Sequence, residues 1–158
     1  MRWKPDITVA AVAERDGRFL VVEEHIGSQL VFNQPAGHLE DGESLVEATV
    51  RETLEETAWH FEPQALVGIY VWKHPDTQRT FIRVALCGEA ARHDAGRPLD
   101  HGIVRAVWMP REQLAARPSR LRSPMVLRCI DDYLAGARYS LDALQYLSTD
   151  VPALANSG

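Results

Sequence analysis

Cysteine is scarce: Cys87 and Cys129 stand 42 positions apart in 158 residues. Two isolated thiols argue against a disulfide framework or a zinc knuckle and fit a reducing compartment. Positive charge is also thin. No run of Lys or Arg exceeds two residues, and 17 Lys+Arg against 22 Asp+Glu leave a formal charge of −5, so nothing tracks a nucleic-acid backbone. Charged residues interrupt every apolar run well before the ~18 residues needed to span a bilayer, and the start MRWKPDITVA lacks a signal-peptide core. The expectation is a cytoplasmic protein without a nucleic-acid or membrane partner. Repeats, low-complexity tracts and long linkers are lacking too, so one domain over 1–147 is expected, with a loosely ordered tail over 148–158.

What is present is a strand-rich chain, 46% apolar, with enough material for a core. Ile7 to Ala13, the Asp16-Gly17 turn and Arg18 to Val22 read as a hairpin. Further strands are predicted at Leu66 to Trp72, Thr80 to Leu86 and Ile103 to Trp108, the first two joined by a Pro75-Asp76 turn. Ser44 to Thr57 holds no Gly or Pro and opens with a Ser44…Glu47 capping pattern, predicting a helix. Pro110 precedes a short helix to Ala116, and Ser123-Pro124 opens another over Met125 to Ala135, closed by Gly136. Its Met125, Ile130, Tyr133 and Leu134 are expected to pack inward. Strands flanked by helices indicate an α/β layered sandwich.

The chemistry concentrates between Gly37 and Trp59, where six glutamates fall within 17 positions. At ~100° per residue, Glu52, Glu55 and Glu56 share an arc of roughly 100° on the helix. Like charges three or four apart repel by roughly 0.2–0.5 kcal/mol per pair, so stability does not select this cluster. A bound dication reverses that balance, and oxygen donors without Cys or His suit Mg²⁺, with Mn²⁺ as a substitute. The opposite arc, with Val46, Val50 and Thr53 flanked by Leu45, Thr49 and Leu54, is expected to be buried. Taken alone, the glutamates also fit a solvated acidic surface with a Glu47–Arg51 pair. The upstream loop weighs against that: Gly37 and Gly42 flank a compact turn that brings Glu43 within reach of Arg51.

Gly37, five residues, Glu43, seven residues, then Arg51-Glu52-Thr53-Leu54-Glu55-Glu56-Thr57-Ala58-Trp59 resembles the signature of the Nudix hydrolase family, with its polar and glycine anchors in register. Thr53 stands where the family prefers an aliphatic residue and Ala58 where it prefers Gly. The Thr53 hydroxyl then needs a partner such as its own i−4 carbonyl. Ala58 either occupies a left-handed cap at a cost on the order of 1 kcal/mol or lets the helix run on. Over residues 4 to 147 the chain resembles in particular the phosphatase NudJ branch, through Asn33 to Glu40, Leu121 to Pro124 and Gly136 to Tyr139.

The resemblance implies a Nudix-type α/β/α sandwich with a mixed β-sheet and a metal-dependent hydrolase. Its substrate would be a small-molecule diphosphate, whether a nucleoside tri- or diphosphate or hydroxymethylpyrimidine diphosphate. It further implies that Glu52, Glu55 and Glu56 bind Mg²⁺ and serve catalysis, that the Gly37 carbonyl adds a ligand, and that Glu43 and Arg51 are structural. Asp100, in a turn before a strand, is the loop candidate for general base beside the helix glutamates. Phe32, Gln34, Trp72 and Arg83 are the candidate substrate-binding residues; Lys73 and Arg79 offer further charge. Arg120 and Arg122 read first as a solvated turn and second as holders of a terminal phosphate. The alternatives are a housecleaning hydrolase of oxidised nucleotides or ADP-ribose-type dinucleotides, and a non-catalytic nucleotide-binding module. A monomer or a homodimer is expected.

Overall fold

Strand β1 (Asp6–Arg15) lies at the centre of the sheet, with Val9 to Ala13 buried throughout. Helices cover both faces there, so the strand reads as an unbroken apolar run instead of an alternating one. It runs parallel to β6 (Thr80–His93) and antiparallel to β2 (Arg18–Ile26) and β4 (Ala36–His38). Beyond β2 lie β3 (Gln29–Asn33) and β7 (Ile103–Pro110), and β6 pairs with β5 (Trp59–Lys73), completing a mixed sheet of seven strands. The computed structural model describes residues 2–148, so the expected loose tail falls outside the described residues apart from Ser148.

Alternation on the two central strands sorts the core. Ala11, Val84 and Leu86 face helix α1 (Leu45–Thr57), while Val12, Ala85 and Cys87 face α2 (Arg111–Ala115) and α3 (Met125–Leu134) through Leu114, Cys129 and Ile130. This is the expected α/β/α arrangement, with both cysteines free and buried. Asp16 (φ 53°) and Gly17 (φ 77°) make the β1–β2 turn, the left-handed pair that suits right-twisted strands. Among the described residues no helix is long and apolar enough to cross a membrane.

Several expectations are corrected. β5 and β6 begin or end well outside the predicted segments, and β3 and β4 were not anticipated. Gly37 lies in β4, paired with Val9, not at the edge of a turn. Leu134 is 52% exposed at the end of α3. The most buried positions of α1 are Ala48, Thr49, Thr53, Glu56 and Thr57 in place of the expected valines and leucines. Three of these are threonines whose hydroxyls donate to carbonyls four residues back: Thr49 to Leu45 (2.8 Å), Thr53 to Thr49 (2.7 Å) and Thr57 to Thr53 (2.6 Å). That ladder satisfies the hydroxyls without a core partner and answers the demand raised by Thr53.

Candidate active site

Helix α1 is fixed at both ends. The Ser44 hydroxyl accepts from Glu47 N–H and the Glu47 carboxylate from Ser44 N–H, each at 3.0 Å, a reciprocal capping box. Glu47 is thereby committed to the cap, and Arg51 pairs with other acids instead of making the Glu47–Arg51 contact of the solvated-surface alternative. At the other end Ala58 adopts φ 63°, ψ 13° and its N–H donates to Leu54 O, so the helix stops in a left-handed cap despite the absence of glycine.

Between these ends Arg51 organises the acids. Its Nε and Nη2 donate to the two Glu43 oxygens at 2.9 and 2.7 Å, Nη2 also reaches His38 O, and Nη1 donates to Glu52 (2.9 Å) and Glu55 (3.2 Å). The Glu43 carboxylate is held below its ordinary pKa by the Arg51 hydrogen bonds. Asp100 joins from the loop ahead of β7: its backbone N–H donates to Glu55 O at 3.0 Å. Glu52, Glu55 and Asp100 each present a carboxylate oxygen, all within 4.8 Å of one another.

Glu56 is placed differently from its two helix neighbours. It is 8% exposed, and Oε1 accepts from Ala36 N–H of β4 at 2.9 Å. Burial pushes its pKa up to about 9, with Glu24, Glu52 and Asp100 adding repulsion against that one N–H. Burial likewise pushes Glu52 up to about 7, opposed by Arg51 and helped by Glu55 and Asp100. Gly37 sits against Glu52 so closely that a Cβ there would lie 2.1 to 2.4 Å from the carboxylate. The glycine is thus required by close approach, not by turn geometry, and it lets β4 and α1 share one acidic rim.

The candidate substrate-binding residues are redistributed. Phe32 is 1% exposed within the core, under the Arg120 guanidinium, so it has no face free to stack a ligand. Gln34 is buried as well, donating to Val126 O (2.7 Å) and accepting from Arg83 Nη1 (2.7 Å). It holds Arg83 and is itself absent from the cavity lining that Arg83 joins. Trp72 and Arg83 do line a cavity of about 80 Å³ with Asn33, Phe81, Arg122 and Ser123, bounded also by the backbone of Ala36 and Gly37. Arg79 is taken up by Asp6, and Arg120 by Glu23. Sequence reasoning missed Asn33, which accepts from Arg83 Nη2 at 2.9 Å, and Glu24, whose pKa is raised by burial against the pull of Arg122, Asn33 and Arg83. The signal for Glu24 was a pair of adjacent acids directly after the buried run Phe19 to Val22, where alternation turns the two to opposite faces of the sheet.

A NUDIX domain model matches residues 3–128. The chain belongs to the Nudix hydrolase family. It is 40% identical over 142 residues to phosphatase NudJ of Escherichia coli K12, covering 90% of this chain and 92% of that one, and equally so to phosphatase NudJ of Shigella boydii. A solved Nudix hydrolase from Nitrosomonas europaea superimposes with a TM-score of 0.89 at 48% identity, covering 91% of this chain and 98% of the other. The expected family, branch and fold therefore hold. As a Nudix hydrolase the chain is an enzyme of phosphoanhydride hydrolysis, and the Glu-rich rim on α1 is its candidate acidic metal site.

Proposed function

We propose that this protein hydrolyses nucleoside tri- and diphosphates, with hydroxymethylpyrimidine diphosphate as a further substrate, using Mg²⁺ held by Glu52, Glu55 and Glu56. The observation that carries this reading is the convergence of Glu52, Glu55 and Asp100 within 4.8 Å beside a buried, partner-poor Glu56. Hard carboxylate oxygens suit Mg²⁺, with Mn²⁺ able to replace it. The glycine at position 37 leaves space at Glu52 that any Cβ would fill, which supports close approach of an ion and its ligands to β4.

A bound dication supplies screening of the phosphate oxygens and a water of lowered pKa. The chain supplies orientation and proton handling. Arg51 holds Glu52 and Glu55 side by side, and Glu43 in turn fixes Arg51. Asp100 and the helix glutamates are the groups placed to accept the proton of the attacking water. Glu56 is the buried member of the set, and there the low dielectric strengthens each charge interaction.

The test is orthophosphate release from nucleoside di- and triphosphates, with and without Mg²⁺, in wild type and Glu56→Gln. Expected is Mg²⁺-dependent release that Glu56→Gln lowers by about 10³-fold; equal activity in both proteins contradicts the assigned role.

A further inference from the structure

The cavity beside β4 carries more positive charge than its surroundings answer. Arg83 is only 3% exposed, and its hydrogen-bond partners are two neutral amides, Gln34 and Asn33. Its Nε and the Nη1 of Arg122 are both buried without a hydrogen-bond partner. Among the described residues neither guanidinium forms an ion pair, whereas Arg51, Arg79, Arg105, Arg111, Arg120 and Arg128 all do. The Cys129 thiol lies beside Arg83, and Glu24 feels both arginines but lies outside the cavity lining. Guanidinium nitrogens buried short of a partner and of counter-charge, as at Arg83 and at one nitrogen of the half-buried Arg122, are costly unless a ligand supplies it.

The cavity's size limits what that ligand is. About 80 Å³ is two to three times the ~30 Å³ share of one water, well under the roughly 300–1,000 Å³ of a pocket for a drug-sized molecule. It admits an oxyanion and not a whole nucleoside. The strand register sets its position. Gly37 pairs with Val9 and faces α1, whereas Ala36 and His38 pair with Ala10 and Thr8 on the α3 side, where the cavity lies. Among the described residues β4 pairs with β1 alone, and Ala36 lines the cavity while its N–H donates to Glu56, so this one short strand stands between the acidic rim and the arginines.

We propose that Arg83 and Arg122 form an oxyanion subsite for phosphate, separate from the carboxylate rim and joined to it across β4. As a specificity element it rests on the hydrolase reading, and it makes a second phosphate, beside the one attacked, the feature that selects substrate. Gln34 and Asn33 are its positioning residues, presenting Arg83 through fixed amide oxygens. Arg120, taken up by Glu23 and the Phe32 ring, has no part in it.

Inorganic phosphate titrated into the chelator-treated protein tests the subsite without turnover. Expected are saturable shifts of the Trp72 indole N–H and of arginine Nε–H signals in NMR, with Arg122→Gln weakening phosphate by about tenfold or more and Arg122→Lys by less. In the Mg²⁺-loaded enzyme the same variant raises KM for a nucleoside diphosphate more than it lowers kcat if the bound phosphate is the substrate's own. If it relieves only inhibition by orthophosphate, the bound phosphate is the released product; either result supports the subsite. Wild-type cavity signals that do not move with phosphate, or equal affinity in wild type and Arg122→Gln, overturn it. Hydrolysis that persists alongside such a result removes the subsite alone. Arg122-dependent binding in a protein that hydrolyses nothing removes the hydrolase reading and leaves the subsite.

Discussion

Glu23 and Glu56 are almost equally hidden, at 6% and 8% exposure, yet the fold treats them in opposite ways. Glu23 on β2 is met by two guanidiniums, Arg105 and Arg120. Burial alone would raise its pKa, but those hydrogen bonds outweigh burial and hold it below the ordinary carboxylate value. Glu56 on α1 is met by one backbone N–H and three repelling acids, and it rises to about 9. Burial by itself therefore says little about function. What separates the two is whether the fold supplies counter-charge or leaves it to a ligand.

The largest contrast is expected in turnover. Glu56→Gln keeps a side-chain oxygen for Ala36 N–H but removes the charge, and kcat for phosphate release should fall by about 10³-fold. Glu23→Gln should leave release unchanged. Comparable losses in both variants would dissolve the distinction.

Next in size is the pH dependence of the metal-free protein. A carboxyl whose folded pKa lies above its unfolded value stabilises the fold while protonated in both states, and that stability is lost as pH rises through the folded pKa. With Glu56 moved from 4.5 to about 9 and Glu52 to about 7, the melting temperature in chelator should decline between pH about 5 and about 9. Glu56→Gln should flatten the upper part of that decline. Glu23 titrates with the opposite sign: its folded pKa is depressed, so its contribution is present above the unfolded value and lost as pH falls through the folded one.

Glu23→Gln tests the other side in denaturant melts. A broken buried pair costs about 3–5 kcal/mol, but Arg105 and Arg120 are 54% and 38% exposed, and solvent screening lowers the expectation to about 2 kcal/mol. The smallest effect is expected at the end of α1. Ala58→Gly relieves a left-handed alanine at φ 63° and should stabilise the protein by about 1 kcal/mol in the same melts, with phosphate release unaltered.

How much of this could be read from the chain depended on range. The capping box and the Glu43–Arg51 pair are local, and spacing exposes them; the left-handed Ala58 was one of two outcomes left open, raised only by the family's preference for glycine at that position. Strand β4 is three residues, Ala36–His38, containing a glycine and following a proline; only its pairing with β1 makes it a strand, so nothing local announces it. The same tertiary fact explains the glycine at 37 and the burial of Glu56, which helical periodicity placed on an outer arc with Glu52 and Glu55. Asp100 was legible as a turn acid before a strand, but its approach to Glu55 depends on how that loop crosses the end of α1. Phe32, Gln34 and Arg83 carry ligand-binding chemistry in their side chains and are all buried, yet only Arg83 lines the cavity, and that placement depends on tertiary packing that is invisible in sequence.

The most direct test of the central claim is the anomalous scattering of Mn²⁺ soaked into crystals of the wild-type protein. The account predicts an ion against the Glu52, Glu55 and Glu56 carboxylates, close to Gly37, in a protein whose turnover stops when chelator is added. Crystals saturated with Mn²⁺ that show no ion on that rim, from an enzyme indifferent to chelator, would contradict it.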